Sequence, residues 1–252
     1  MNKEQIAFIQ QPNTHGVLIG IPGGGKSTSI IHRIIRQVES SEIPAHGGFL
    51  VVTFSRAAAD DFRRKGARLR SDLFDPCYIR TIHSLAGTLM RGVSSSTSSI
   101  HTVVCRATKK LRDDLTLQQS PYKNIKVIYV DEAQDISRTQ YELVMTMGEI
   151  LNAAVVLVGD ADQALYAFQG GSPEFLNNHR GFRIELVQNY RSTCQIVNLA
   201  NGARPTKDVH PMKSASGTNG SVPYIVSDTH ANLATRIIDI VTTSIRDNKV
   251  IA

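Results

Sequence analysis

The chain has no tryptophan, and aromatic residues of all kinds make up only 6% of its 252 residues. It has three cysteines, Cys77, Cys105 and Cys194. Their spacings match no metal-binding pattern, and an odd number cannot all pair. A disulfide framework of the small secreted kind is therefore excluded, and a reduced, intracellular thiol inventory is expected. No apolar run approaches the length of a membrane span, so no membrane partner is expected. The opening residues, MNKEQIAFIQ, are too polar for a secretion signal, and a protein that is not secreted is expected.

What is present is ordinary in bulk: 20% charged and 41% apolar residues, as in soluble globular chains. The length allows one large core, or one complete domain and part of a second. The net charge is +6 and the sequence pI about 9.3. Arg63, Arg64, Lys65, Arg68 and Arg70 put five cations within eight residues. That cluster reads either as a solvated helix face or as one side of a groove for a polyanion.

Short apolar runs alternate with helical patterns. Val17–Ile21 precedes a helix over Lys26–Gln37, Phe49–Phe54 one over Ala57–Arg70, and Val127–Val130 one over Arg138–Leu151. Ala154–Val158 precedes a turn and a short helical stretch. The runs are apolar without alternation, as in strands covered on both faces, and the repeated strand–helix order predicts a parallel α/β sheet. A further helix precedes the sheet, with Asn2 as cap and Gln5 at the capping-box position. Ser94–Ser99 reads as a low-complexity loop, and Gly202–Val222 as a long connection. Beyond it a strand over Val222–Val226 and a helix over Asn232–Ile245 are expected.

Gly20–Ser27, GIPGGGKS, fits the pattern of a phosphate-binding loop between strand and helix. Glycines let successive backbone N–H groups face one anion, and the helix start adds partial positive charge. Lys26 can reach the β- and γ-phosphates, and the Ser27 hydroxyl can ligate Mg²⁺. Gly20, Pro22, Gly23, Gly24, Gly25 and Thr28 complete the expected cradle. The run KVIYVDEAQD places Asp131 and Glu132 just after a buried strand, at the sheet edge where the phosphate loop lies. Asp131 is the candidate metal partner and Glu132 the candidate general base for an attacking water. Gln134, Asp135, Asp160 and Gln163 are polar neighbours at that edge, with Gln163 a candidate sensor of the γ-phosphate.

Taken together, these motifs resemble, in order, those of superfamily 1 DNA helicases of the UvrD/Rep type. Asn2-x-x-Gln5 resembles the Q motif and Gly20–Thr28 the Walker A loop. Thr53–Ala58, TFSRAA, resembles motif Ia, and Thr81–Ser84, TIHS, the next DNA-facing motif. Asp131–Asp135, DEAQD, is similar to motif II, Gly159–Gly170 to motif III, and Asn189–Ser192, NYRS, to motif IV.

The resemblance implies a P-loop NTPase with a RecA-like parallel sheet flanked by helices, and the start of a second RecA-like domain. It implies ATP and Mg²⁺ as cofactors and single-stranded DNA, or partly duplex DNA, as partner. A cytoplasmic or other DNA-containing compartment follows. Gln5 would read the adenine edge, Tyr190 would stack on the base, and Arg191 would contact the γ-phosphate. Lys26, Glu132, Gln163 and Arg191 would be the catalytic set. Thr53, Phe54, Ser55, Arg56, Thr81, His83, Tyr166 and Phe168 would lie along the DNA strand, where stacking on aromatic rings tolerates any base.

Some positions depart from the family. Phe168 stands where a tryptophan is usual and Gln169 where an arginine is usual. About thirty residues separate the His83 helix from motif II, where the family inserts a longer subdomain. Residues 1–184 are therefore expected to form the first domain, with that subdomain reduced to about residues 93–122, and residues 185–252 the incomplete beginning of a second. The family's later motifs, among them a second arginine for the γ-phosphate, are not in these residues. ATP binding, weak hydrolysis and no processive unwinding are expected of this polypeptide. Two other readings stay open: a P-loop kinase for a small molecule, and a helicase remnant that binds nucleotide or DNA as a scaffold.

Overall fold

The computed structural model describes residues 1–90, 100–113, 121–164, 171–203, 211–215 and 217. In chain order the first elements are α1 (Lys3–Ile9), β1 (Gly16–Gly20), α2 (Lys26–Glu39), β2 (Phe49–Thr53), α3 (Arg56–Leu69), β3 (Ile79–Thr81) and α4 (Ile82–Leu89). Next come α5 (Ile100–Asp113), β4 (Val127–Asp131), α6 (Arg138–Leu151), β5 (Ala154–Gly159), α7 (Glu174–Asn178) and β6 (Phe182–Leu186). The last described are β7 (Gln188–Asn189), α8 (Cys194–Ala203) and β8 (Lys213–Ser214). The expected strand over Val222–Val226, the helix over Asn232–Ile245 and the loop over Ser94–Ser99 lie outside the described residues.

Six strands form one sheet in the order β3-β2-β4-β5-β1-β6, and every pairing is parallel. A parallel sheet needs a crossover between neighbours, and the helices supply it on both faces. Successive residues of each central strand enter opposite cores. Leu18, Val51, Tyr129 and Val156 pack with Phe8, Ile30, Ile34 and Phe62 of α1, α2 and α3. Val17, Leu50, Ile128 and Val155 pack with Leu85, Val104, Leu143 and Met147 of α4, α5 and α6. This is why the central runs show no apolar–polar alternation: both faces are covered.

The two outer strands were not legible in the sequence. β3, IRT, is three residues long, and β6, FRIEL, carries Arg183 and Glu185. An edge strand lacks a neighbour on one side and tolerates charge, so its apolar signal is weak. β6 pairs with β1 from Gly16↔Phe182 to Gly20↔Leu186, so the expected domain boundary at residue 184 falls inside a strand of the first sheet. The stretch expected as a reduced inserted subdomain also proves different where it is described. α5 buries Val104, Ala107 and Leu111 in the core beneath α4 and α6, as an integral layer helix. β7 and β8 form a separate two-stranded parallel sheet. The three cysteines form no disulfide. Among the described residues, no helix is long and apolar enough to cross a membrane.

Asn2 and Gln5 form the expected capping box on α1. That helix is held by Arg33 of α2, a fully buried cation. Its Nη1 donates to the Phe8 carbonyl at 3.1 Å and its Nη2 to the Pro12 carbonyl at 2.9 Å. The guanidinium sits 4.8 Å from the ring centroids of both Phe8 and Phe182, tying α1 to α2 and β6. Removing it would take one of two donors from each carbonyl, since the Gln11 and Thr14 N–H groups also reach them, and would leave a cavity between two rings. Arg33→Ala is expected to lower stability by about 3 kcal/mol, read as a shifted urea midpoint with an unchanged slope. A loss under about 0.5 kcal/mol, the scale of surface changes, would contradict that role.

Candidate nucleotide site and adjoining groove

The parallel sheet brings the loops after β1, β4 and β5 to one edge. After β1 the chain turns through Ile21–Gly25 into α2. Gly25 precedes the helix and provides no side-chain cap, so the first backbone N–H groups are open to an anion. Lys26 curls over the loop, its Nζ donating to the Gly20 carbonyl at 2.8 Å. Ser27, in the first turn of α2, donates from Oγ to Oδ2 of Asp131 at 3.3 Å. Two segments more than a hundred positions apart thus meet at the predicted metal pair.

Asp131 is the last residue of β4 and is 5% exposed. Burial, reinforced by the neighbouring Glu132 charge, raises its pKa to about 6. The Lys26 ammonium, the Glu132 backbone N–H and the Ser27 hydroxyl pull in the opposite direction. Glu132 follows with φ of 55°, a left-handed backbone that is uncommon for a side chain of its size. Its Oε2 accepts from Nε2 of Gln134 at 2.9 Å. Gln134 also accepts, at Oε1, the Asp160 N–H at 3.1 Å. Oδ2 of Asp160 in turn accepts from Nε2 of Gln163 at 2.6 Å. A hydrogen-bonded chain therefore runs from the candidate base at the end of β4 to the candidate sensor beyond β5. Gly159 makes room for it, since a Cβ there would lie 2.3 Å from Oε1 of Gln134.

The phosphate loop is gripped from two other directions. Gln5 donates from Nε2 to the Gly24 carbonyl at 3.2 Å, while its Oε1 accepts the Asn2 N–H. The amide expected to read adenine thus has a partner at each end within the protein. On the other side, Asn189 donates from Nδ2 to the Pro22 carbonyl at 2.9 Å, and the Tyr190 N–H donates to the Gly23 carbonyl at 3.0 Å. Oδ1 of Asn189 accepts the N–H groups of Arg191 and Ser192, at 2.8 and 2.7 Å. Arg191 presses against Gly23, where φ is 67° and an added Cβ would lie 2.7 Å from Cβ of Arg191. Tyr190 is 47% exposed, and its hydroxyl donates to the same Gln188 oxygen that accepts from Asn2. An exposed ring thus stands beside the start of α1. Asn189 was absent from the expected site residues. Its signal was its place before Tyr-Arg-Ser, since an Asn side chain readily accepts the N–H groups that follow it.

A groove of about 620 Å³ lies farther along the same edge, lined by residues that include Phe54, Arg56, Arg80, Thr81, His83 and Ser84. It gathers most of the expected DNA contacts from the two motifs. Thr53 is a correction: it is fully buried, and its Oγ1 donates to the Ser55 carbonyl at 3.0 Å, so it braces the turn. Thr81 and Ser55 use their hydroxyls to cap α4 and α3. His83 meets Gln140 at 3.3 Å, and burial lowers its pKa below the usual 6.5, which favours a neutral ring at pH 7. Tyr166 and Phe168 lie outside the described residues.

A glycine cradle at the end of β1, an acidic pair at the end of β4 and a parallel sheet that aligns them define a RecA-like P-loop nucleotide-binding domain. A family model described as an AAA domain matches residues 3–169, and the chain belongs to that family. A protein of Acanthamoeba polyphaga mimivirus, provisionally named an ATP-dependent DNA helicase, is 28% identical over 232 residues, covering 89% of this chain and 33% of that protein. ATP-dependent DNA helicase Rep of Buchnera aphidicola from Schizaphis graminum is 30% identical over 146 residues, covering 54% of this chain and 22% of its own length. The crystal structure of Pif1 helicase from Candida albicans aligns with a TM-score of 0.44 at 16% identity, over 74% of this chain and 39% of that one. The chain is similar to the N-terminal region of superfamily 1, UvrD-like helicases, and spans a third or less of the two curated relatives.

A buried carboxylate with a raised pKa opposes folding above that pKa. The penalty is present at pH 7.5, shrinks as pH falls through about 6, and vanishes below the unfolded value of 3.8. Asp131→Asn is therefore expected to stabilise the ligand-free protein by about 1–3 kcal/mol at pH 7.5 and by almost nothing at pH 3.5, read by urea denaturation at both pH values. Destabilisation at pH 7.5 would refute the assignment of strain to this carboxylate.

Proposed function

We propose that this chain is the ATP-binding lobe of a superfamily 1 motor that couples ATP hydrolysis to movement along single-stranded DNA. The observation that carries this reading is the meeting of Ser27 and Asp131 beside Lys26 on the edge that also holds the groove. In this reading Lys26 and the open N–H groups of the loop bind the phosphates of ATP, and Tyr190 offers a stacking face for the base. Gln5 sets the loop from behind as well as bordering the base.

The residues present fit magnesium. Ser27 and Asp131 pair a hydroxyl with a buried carboxylate at hydrogen-bonding distance, an all-oxygen donor set suited to a hard cation. These two side chains would hold the ion, which when bound neutralises charge on the β- and γ-phosphates. Glu132 orients and deprotonates the attacking water, its carboxylate aimed by Gln134. Gln163 and Arg191 respond to the γ-phosphate, and Asn189 keeps Arg191 against the loop. Phe54, Ser55, Arg56, Thr81 and His83, with Tyr166 and Phe168, would follow the strand, whose affinity falls with salt because backbone phosphates dominate it. The setting this implies is a DNA-containing compartment inside a cell.

The test is ATP turnover by the 252-residue polypeptide, with and without oligothymidylate, beside Glu132→Gln. Slow turnover is expected, raised several-fold by DNA and lowered at least a hundredfold in the variant, with no strand displacement on a partial duplex. A rate indifferent to DNA would favour a small-molecule kinase or an uncoupled ATPase. No turnover with intact nucleotide binding would favour a scaffold.

A further inference from the structure

The cationic stripe that stands out in the sequence is largely neutralised by carboxylates of its own helix and of the segments beside it. Arg63 pairs with Asp60 at 2.5 Å, Arg64 and Lys65 pair with Asp61 at 3.3 and 2.6 Å, and Arg70 pairs with Glu39 and Asp72. Arg80 of β3 is different. It was singled out by no motif, it lines the groove beside Phe54, Arg56 and His83, and no carboxylate among the described residues bridges it.

Its guanidinium is instead fixed by two neutral hydroxyls. Nη1 donates to Oγ1 of Thr88 at 2.8 Å and to the phenol oxygen of Tyr122 at 2.9 Å. The Thr88 hydroxyl donates its own proton to the Ser84 carbonyl at 3.0 Å, so it meets Arg80 as an acceptor. Tyr122 is 2% exposed, anchored in the core beneath α4 and α5. Nε and Nη2 of Arg80 make no hydrogen bond among the described residues. The charge is therefore intact and the side chain already ordered. Immobilising an arginine costs rotamer entropy, and here part of that cost falls on folding. The groove has three guanidinium groups, Arg56, Arg63 and Arg80, against the single carboxylate of Asp60.

We propose that Arg80 is a preorganised contact for a backbone phosphate of single-stranded DNA in this groove, with Tyr122 and Thr88 as its positioning residues. This rests on reading the groove as the strand path. A planar fork held at one nitrogen leaves two nitrogens, Nε and Nη2, to donate to a phosphate, and such contact carries no base preference.

The experiment is anisotropy of a fluorescein-labelled oligothymidylate titrated with the full chain over a series of salt concentrations. Circular dichroism verifies that each variant is folded. Arg80→Gln is expected to weaken binding about tenfold and to flatten the slope of log K against log salt by about 0.7, one phosphate's share on a single strand. Tyr122→Phe is expected to weaken binding about threefold with the slope unchanged, because charge stays and only its ordering is lost. Arg64→Gln, an exposed arginine outside the groove, is the control and is expected to leave both unchanged. A wild-type slope in folded Arg80→Gln would overturn the phosphate contact, and a flattened slope or wild-type affinity in Tyr122→Phe would overturn the positioning role. If the wild-type chain bound no oligothymidylate at low salt, the strand-path reading would fall first, and this inference with it.

Discussion

The hydroxyl of Ser27 reaches the carboxylate of Asp131 across a sheet in which their strands are not neighbours. β5 lies between β1 and β4, yet both residues stand at the same edge because every strand runs the same way. The helices on the two faces are what make that common direction possible. Everything else at the site is arranged around this meeting: the lysine beside it, the glutamate one residue on, and the strand ends whose polar side chains close the ring. A carboxylate buried next to another carboxylate is an unfavourable element in a fold, and it persists here at the edge of a sheet whose two extensive apolar cores stabilise the rest.

Around that centre the loops are held by side-chain amides more than by ion pairs. Gln5, Asn189 and Gln134 each join segments distant in the chain, and each satisfies backbone or carboxylate groups that an apolar side chain would leave without partners. Amides do this well because they donate and accept at once and carry no charge that would compete with a phosphate. The grip of Asn189 and Tyr190 on the carbonyls of Pro22 and Gly23 joins the cradle to the segment that begins the second, two-stranded sheet. These two bonds hold the cradle directly against the end of β7.

The groove shows how charge in a sequence differs from charge on a surface. Five cations in α3 and its end look like a polyanion site when only the basic residues are counted. With the acidic residues one turn away or across the turn, most of that charge is paired, and exposed pairs of this kind contribute little to stability or to a distant partner. Among the described residues, the groove's cations without a carboxylate partner are Arg56 and Arg80, the latter on a short edge strand.

The central strands and their helices, the phosphate loop, and the acids at the end of β4 were legible in the sequence, because apolar runs, glycine spacing and residue order are local patterns. The edge strands β3 and β6 were not, since half-covered strands lose the apolar signal, and the boundary expected at residue 184 cut one of them. The burial of Thr53, the second partner of Gln5, the place of α5 in the core and the roles of Asn189 and Arg80 depended on which segments meet in space. Local chemistry specified the parts of the nucleotide site. Only the tertiary fold decided which carbonyl each amide holds and which hydroxyls order Arg80 at the groove, because those outcomes depend on partners brought together by packing rather than by neighbouring positions in the chain.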